Sequence, residues 1–368
     1  MTDVTPEPLP GTAAAAPAAP ADGPTTAPWW RSRGSTALRW VLALLGGLLV
    51  FGAFVLANGA NPISVLADIW FSTLTQPGQF QQILIRAAPL VLAGLAVVVP
   101  ARAGMVNVGG EGQLIMGAVA AAGVAQALGP SSAPGLVMAA MIGAAAAAGA
   151  AWAGIAALMR ISVSVNEAVT TLLLNYVALF AMLYLILGPW KDPAALGQST
   201  SLELPDPVKL PVLAGTAVHV GVVLAVVAAL VVWFALSRTA WGFRLGVVGG
   251  NPEAARRAGI PVVVLLLSAL LIGGALAGLA GYVQLAGAEY KLRPTFGLTI
   301  GYIAFLASWL ARHRPLPLLL AALALAAIAV SGNSLQIGSG LPAASVNILM
   351  GVVLIAVLGW TGTRKAEK

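Results

Sequence analysis

Ten apolar runs, each reaching or approaching the roughly 20 residues that a helix needs to cross a bilayer, follow one another along this chain. They cover 38–57, 83–100, 110–128, 135–158, 166–187, 217–236, 262–285, 298–311, 315–331 and 343–360. The eighth and ninth are short, and Pro315 and Pro317 leave two readings of 298–331: two spans, or one re-entrant hairpin. Only 8% of residues are charged, against about 25% in a soluble domain that must hydrate its surface. Lipid has to solvate most of this chain. The expected fold class is therefore all-α, a polytopic membrane helix bundle with about ten transmembrane helices. The blocks 83–187 and 262–360 each hold about four runs, as an internal repeat would.

Charge placement sets the topology. With the N-terminal tail cytoplasmic, fourteen Lys and Arg residues fall inside and four outside (Lys191, Lys209, Lys291 and Arg293), while Arg86 lies within a span. That asymmetry follows the positive-inside bias in every loop of a ten-helix arrangement and leaves both termini cytoplasmic. Residues 1–36, rich in Pro, Ala and Thr, bury too little apolar area to offset their ordering entropy and read as a disordered cytoplasmic tail, not a signal peptide. Residues 37–361 form the membrane domain, with a cytoplasmic loop at 237–261, and 362–368 a second cytoplasmic tail.

Several function classes drop out. The chain has no Cys and only two His, His219 and His313, neither near an acid in sequence. That argues against thiol chemistry, a metal site and an intramembrane hydrolase, so no catalytic and no metal-binding residues are expected. The net charge of +7 is scattered at the ends of apolar runs and not gathered in a patch, which suits membrane lipid and not nucleic acid. No Gly-x-x-x-x-Gly-Lys-Ser/Thr phosphate loop occurs in the 368 residues, so energy has to come from a partner or an ion gradient.

Two polar stretches interrupt the apolar pattern. Between Arg102 and Gln113, four glycines fall within nine residues, interleaved with Asn107, Glu111 and Gln113. This is a poor continuous helix. Either it is a broken helix whose backbone and polar side chains line a route, or it is a cytoplasmic loop with Glu111 favouring the dipole of the next helix. The second stretch carries Asn166, Glu167, Thr170, Thr171, Asn175 and Tyr176. Glu167, Thr170, Thr171 and Asn175 recur at three- to four-residue spacing and share one helical face. Solute contact and helix–helix hydrogen bonding explain that face equally well, and Asn166 is also suited to cap the helix.

In the loop at 237–261, Asn251 can cap a short helix, Pro252 suits its first position, Glu253 favours its dipole, and Gly259 and Pro261 end it. On residues alone this is a one- or two-turn amphipathic helix at the membrane face. The pattern Thr239-Ala240-Trp241-Gly242-Phe243-Arg244, then Asn251-Pro252-Glu253-Ala254-Ala255 and Ala258-Gly259-Ile260, resembles the coupling segment of ABC importer permeases for branched-chain amino acids, ribose-type sugars and nucleosides. Arg102-Ala103-Gly104, Asn107, Gly109 and Glu111-Gly112-Gln113 resemble the third-helix region of that family. Val165-Asn166-Glu167 with Leu174-Asn175-Tyr176 resembles its nucleoside and purine branch, and Phe296-Gly297-Leu298 onward a later motif, from which Ala307-Ser308-Trp309-Leu310 departs.

The resemblance covers about residues 80 to 360. It implies a membrane-spanning permease subunit of an ATP-driven importer, most suited to nucleosides, with simple sugars next and branched-chain amino acids third. It implies no enzymatic activity and no cofactor in this chain, since ATP and Mg would bind a cytoplasmic ABC ATPase subunit. Further expected partners are a second permease subunit, identical or related, and an extracytoplasmic solute-binding lipoprotein, in a bacterial plasma (inner) membrane. Arg244, Asn251, Pro252, Glu253, Ala254, Ala255 and Gly259 would couple to the ATPase. Asn107, Glu111, Gln113, Asn166, Glu167, Asn175 and Tyr176 would line the solute pathway. The competing expectation is an ion-coupled secondary transporter with Glu111 and Glu167 as coupling carboxylates.

Overall fold

The computed structural model describes residues 45–129, 132–339, 342, 345 and 347–352. The tails expected at 1–36 and 362–368, the start of the first span and most of the 343–360 run lie outside the described residues. Among those described, the regular structure is helical: α1 (Leu45–Ala57), α2 (Pro62–Thr75), α3 (Gln79–Arg102), α4 (Gly110–Leu128), α5 (Pro134–Val163), α6 (Glu167–Leu187), α7 (Gly221–Arg238), α8 (Ala240–Gly250), α9 (Pro252–Arg257), α10 (Val262–Gln284), α11 (Ile300–Leu310) and α12 (Pro315–Ser339). Two isolated antiparallel bridges, Lys191 with Ser201 and Val212 with His219, brace the connection between α6 and α7.

Six of these helices are long and apolar enough to cross a membrane, or seven if the bent pair α1–α2 counts as one span. The chain turns by 112° between α1 and α2, where Asn61 caps α2 through its side chain and Pro62 takes the first helical position. Neither α2 nor α8 was expected as a helix. The 298–331 stretch combines features of both readings. α11 has only 11 residues, about 16 Å or half a crossing, whereas Pro315–Gly332 within α12 is long enough to span.

α10 is the hub, packing most extensively on α5 and then on α3 and α4. With little hydrophobic drive between helices in lipid, association rests on close backbone packing. Gly278 shows how close: a Cβ there would land on the Ala145 carbonyl of α5. Only glycine permits that approach, which explains the small-residue runs at 143–150 and 273–278.

Candidate functional site

α3 ends at Arg102, and the chain turns at the exposed Gly104. Gly104 has φ of +76°, Met105 N–H donates to the Pro100 carbonyl at 3.1 Å, and Gly104 N–H donates to Ala101 at 3.1 Å. This is a Schellman stop, whose left-handed residue glycine adopts without strain. Residues 103–109 then run without helical hydrogen bonds before α4 begins. Backbone groups left open in a membrane protein need partners from elsewhere in the protein, and α6 supplies them. Glu167 Oε1 accepts from Val106 N–H at 3.1 Å, and Thr171 Oγ1 accepts from Val108 N–H at 3.2 Å. Asn175 donates to the Val108 carbonyl at 3.0 Å and accepts from Gly112 N–H at 2.8 Å. A Cβ at Gly112 would fall 2.9 Å from the Asn175 Cα, so glycine sets the α4–α6 distance here. The polar face of α6 is matched, step by step, to the broken segment.

The break is also tied from within. Asn107 and Gln113 exchange two amide hydrogen bonds of 3.0 Å each. Asn107 also donates to the Ala96 carbonyl at 3.0 Å and accepts from Gly109 N–H at 3.0 Å. Both residues are fully buried. Arg160, near the end of α5, forms an ion pair with Glu167, which neutralises this buried acid.

Glu111, in the first turn of α4, is also buried, and its Oε2 accepts from Thr299 N–H at 3.0 Å. Thr299 caps α11 with φ of +73°, so the N-termini of α4 and α11 meet at this carboxylate. Their dipoles favour its charge. Tyr302, in the first turn of α11, follows Gly301, where a Cβ would strike the Glu111 backbone.

Asn107, Glu111, Gln113, Glu167 and Asn175 therefore converge at one junction of α3, α4 and α6. Asn166 does not join them: its Oδ1 caps α6 by accepting from Ala168 and Val169 N–H. Tyr176 sits on the exposed side of α6. Arg160, Thr299 and Tyr302 went unrecognised in the sequence, since nothing local connects 299 or 302 with 111.

The second cluster is α8 with α9. Asn251 Oδ1 accepts from Glu253 and Ala254 N–H, both at 3.0 Å. The helix stops at Gly259, φ +73°, with Ile260 N–H donating to Ala255 and Gly259 N–H to Arg256, each at 3.0 Å. Ala255 is buried beneath α9. Asn251, Pro252, Glu253, Ala254, Arg256, Arg257 and Gly259 are exposed, as are Phe243 and Arg244 on α8. Segment 240–250, expected as loop, is helical because Thr239 caps it and Leu245 and Val248 face the core. Trp241 Nε1 donates to Ser268 of α10 at 3.0 Å. Gly249 rests directly on the stop of α3, since a Cβ on Gly104 would lie 3.3 Å from the Gly249 Cα.

Crossing helices long and apolar enough to span a membrane, with an exposed helix pair beside them, define a polytopic membrane protein. The chain belongs to the family of branched-chain amino acid transport system permease components, whose model matches residues 79–358. It is 35% identical over 347 residues to the glucose ABC transporter permease protein TsgB13 of Haloferax volcanii, covering 90% of this chain and 89% of the relative. It is 28% identical over 326 residues to the guanosine ABC transporter permease protein NupP of Bacillus subtilis, covering 86% and 91%. With the nucleoside ABC transporter permease protein NupB of Lactococcus lactis subsp. cremoris it shares 25% over 332 residues, covering 86% and 89%. It is thus an ABC importer permease, a multi-pass plasma-membrane protein that works with an ATPase and a solute-binding partner. Hydrolysis takes place in the ATPase, and the permease is not an enzyme.

Proposed function

We propose that this permease moves nucleosides, driven by an ATPase that presses on α8 and α9. The observation that carries the coupling is the Gly249–Gly104 contact, which puts the exposed helix pair against the stop of α3, while the likeness to NupP and NupB supports nucleosides. Displacement of α9 would reach the 103–109 break through α8, and the break is where helix geometry can change without tearing an intact hydrogen-bond ladder. Arg244, Asn251, Pro252, Glu253, Ala254, Ala255 and Gly259 would form or shape the docking face. ATP and Mg would bind the partner, and both termini would be cytoplasmic.

The solute route would run along the junction of α4, α6 and α11, with Glu111, Asn175 and Tyr176 closest to it. Asn107, Gln113 and Glu167 would contribute by holding the break, and Asn166 by starting α6. The exposed face of α6, with Val169, Leu173, Phe180 and Tyr184, would meet lipid or a second permease subunit. The mid-helix hydroxyl of Tyr176 suits a subunit or an aqueous path better than hydrocarbon.

Simple sugars are the second reading, favoured by the 35% identity to a protein named for glucose. Labelled guanosine uptake by the complete transporter, challenged with unlabelled adenosine, glucose, ribose and leucine, ranks the candidates. Competition by other nucleosides alone supports the first reading, and competition by glucose alone replaces it with the second.

A further inference from the structure

We propose that Glu111, Asn175, Tyr176 and Tyr302 form a solute contact that recognises a vicinal diol, the adjacent pair of hydroxyls carried by riboses and simple sugars. This deepens the permease reading above and rests on it.

Glu111 is 6% exposed, and its hydrogen bonding is half complete. Oε2 is taken by Thr299 N–H. Oε1 has no hydrogen-bond partner among the described residues, no cation pairs with the carboxylate, and the atom is not sealed from solvent. An acid so enclosed needs donors. The N-termini of α4 and α11 favour the anion but leave Oε1 free. Gly301 keeps α11 at this distance, because a Cβ there would strike Glu111 itself. Next in sequence to Gly301, which touches Glu111, and to Asn175, which accepts from Gly112 N–H, stand two partly open aromatic residues, Tyr302 at 38% exposure and Tyr176 at 55%.

A carboxylate oxygen accepts hydroxyl donors through charge-assisted bonds about twice as strong as neutral ones. A vicinal diol presents two such donors side by side, one for Oε1 and one for the Tyr302 oxygen. The aromatic rings cover the apolar C–H face of a sugar ring. A solute without the hydroxyls would leave Oε1 buried and unpaired, and sites of that design reject deoxygenated analogues strongly.

The test is uptake by membrane vesicles holding the complete transporter, with guanosine against 2′,3′-dideoxyguanosine, and with glucose and leucine as further solutes. Wild type, E111Q and Y302F are compared. The solute-binding partner is the same in every arm, so a changed preference belongs to this chain. In the wild type, kcat/KM for the diol-bearing member is expected to exceed that for its analogue by about tenfold or more, and each variant to bring the ratio within about threefold of unity. Should E111Q fail to reach the membrane, Y302F, at an open position, decides. Variants that slow both members of a pair equally would reduce Glu111 to a cap for α11 and overturn the proposal, leaving the permease reading intact. Wild-type uptake of leucine but of neither guanosine nor glucose would overturn the substrate reading and this proposal together.

Discussion

Asn107 donates its side-chain N–H to the Ala96 carbonyl at 3.0 Å, and Ala96 is the residue that Pro100 deprives of its helical partner. Proline has no N–H to return to the carbonyl four residues back. The amide of Asn107 folds back from the break to take that role, and Gln113 holds the amide in place. The end of α3, the break and the start of α4 thereby become one hydrogen-bonded unit.

That relationship predicts a coupling energy. Asn107→Ala removes four buried hydrogen bonds and is expected to destabilise the protein by about 3 kcal/mol, given roughly 1–3 kcal/mol per buried group left unpaired. In a Pro100→Ala background the helix regains the missing N–H, and the same substitution should cost about 1 kcal/mol less. Thermal unfolding of the four proteins in detergent completes the cycle. Strictly additive effects would mean that the Ala96 bond contributes nothing.

Coupling to the ATPase gives a second prediction. Glu253→Lys reverses the charge favoured in the first turn of α9, and Gly259→Pro cannot adopt the +73° φ that stops the helix. Each is expected to abolish solute uptake while membrane abundance stays near wild type. Immunoblots of membranes beside uptake rates check this, and unimpaired uptake in both variants removes α9 from the mechanism.

Gly249→Val tests the contact through which α8 reaches the break. A side chain at 249 would meet the Arg102 carbonyl and Gly104 N–H, pushing α8 off α3. ATP hydrolysis by the assembled transporter should persist while uptake falls by about tenfold or more, a loss of roughly 1.4 kcal/mol in transmission. A parallel fall in both rates would show failed assembly instead.

pH dependence follows from the two histidines, both outside the crossing helices. Burial holds His219 and His313 below the ordinary imidazole value of 6.5. His219 Nδ1 accepts from Gly221 N–H at 3.1 Å, and His313 Nδ1 is bonded to Ser308 at 2.9 Å. The unfolded chain takes up protons near pH 6.5 that the folded protein refuses. Stability present above that pH is lost as pH falls through it. The unfolding temperature should drop between pH 7.5 and 5.5, and His219→Gln should flatten the profile. An unchanged slope in that variant would assign the effect to other groups.

Much of the bundle was legible from apolar length alone, because a run that must cross about 30 Å of hydrocarbon as helix declares itself. The runs at 83–100, 110–128, 135–158, 166–187 and 262–285 fall on α3, α4, α5, α6 and α10. α8 was not legible: Gly242, Gly246, Gly249 and Gly250 lower its intrinsic propensity, and packing on α3 and α10 overrides this. At the site, the density of glycine and polar residues at 104–113 marked a break, and the three- to four-residue spacing on α6 marked one face. Their pairing with each other was left open because both segments carried a satisfactory local explanation. The contact of Glu111 with Thr299 joins residues 188 positions apart, and no periodicity carries that.

The most direct measurement is solute accumulation in vesicles reconstituted with the purified permease and solute-binding partner, with and without the ATPase and Mg-ATP. Accumulation is predicted only when the ATPase and its nucleotide are both present, with the permease alone showing none. Full-rate uptake in vesicles holding no nucleotide hydrolase would contradict it.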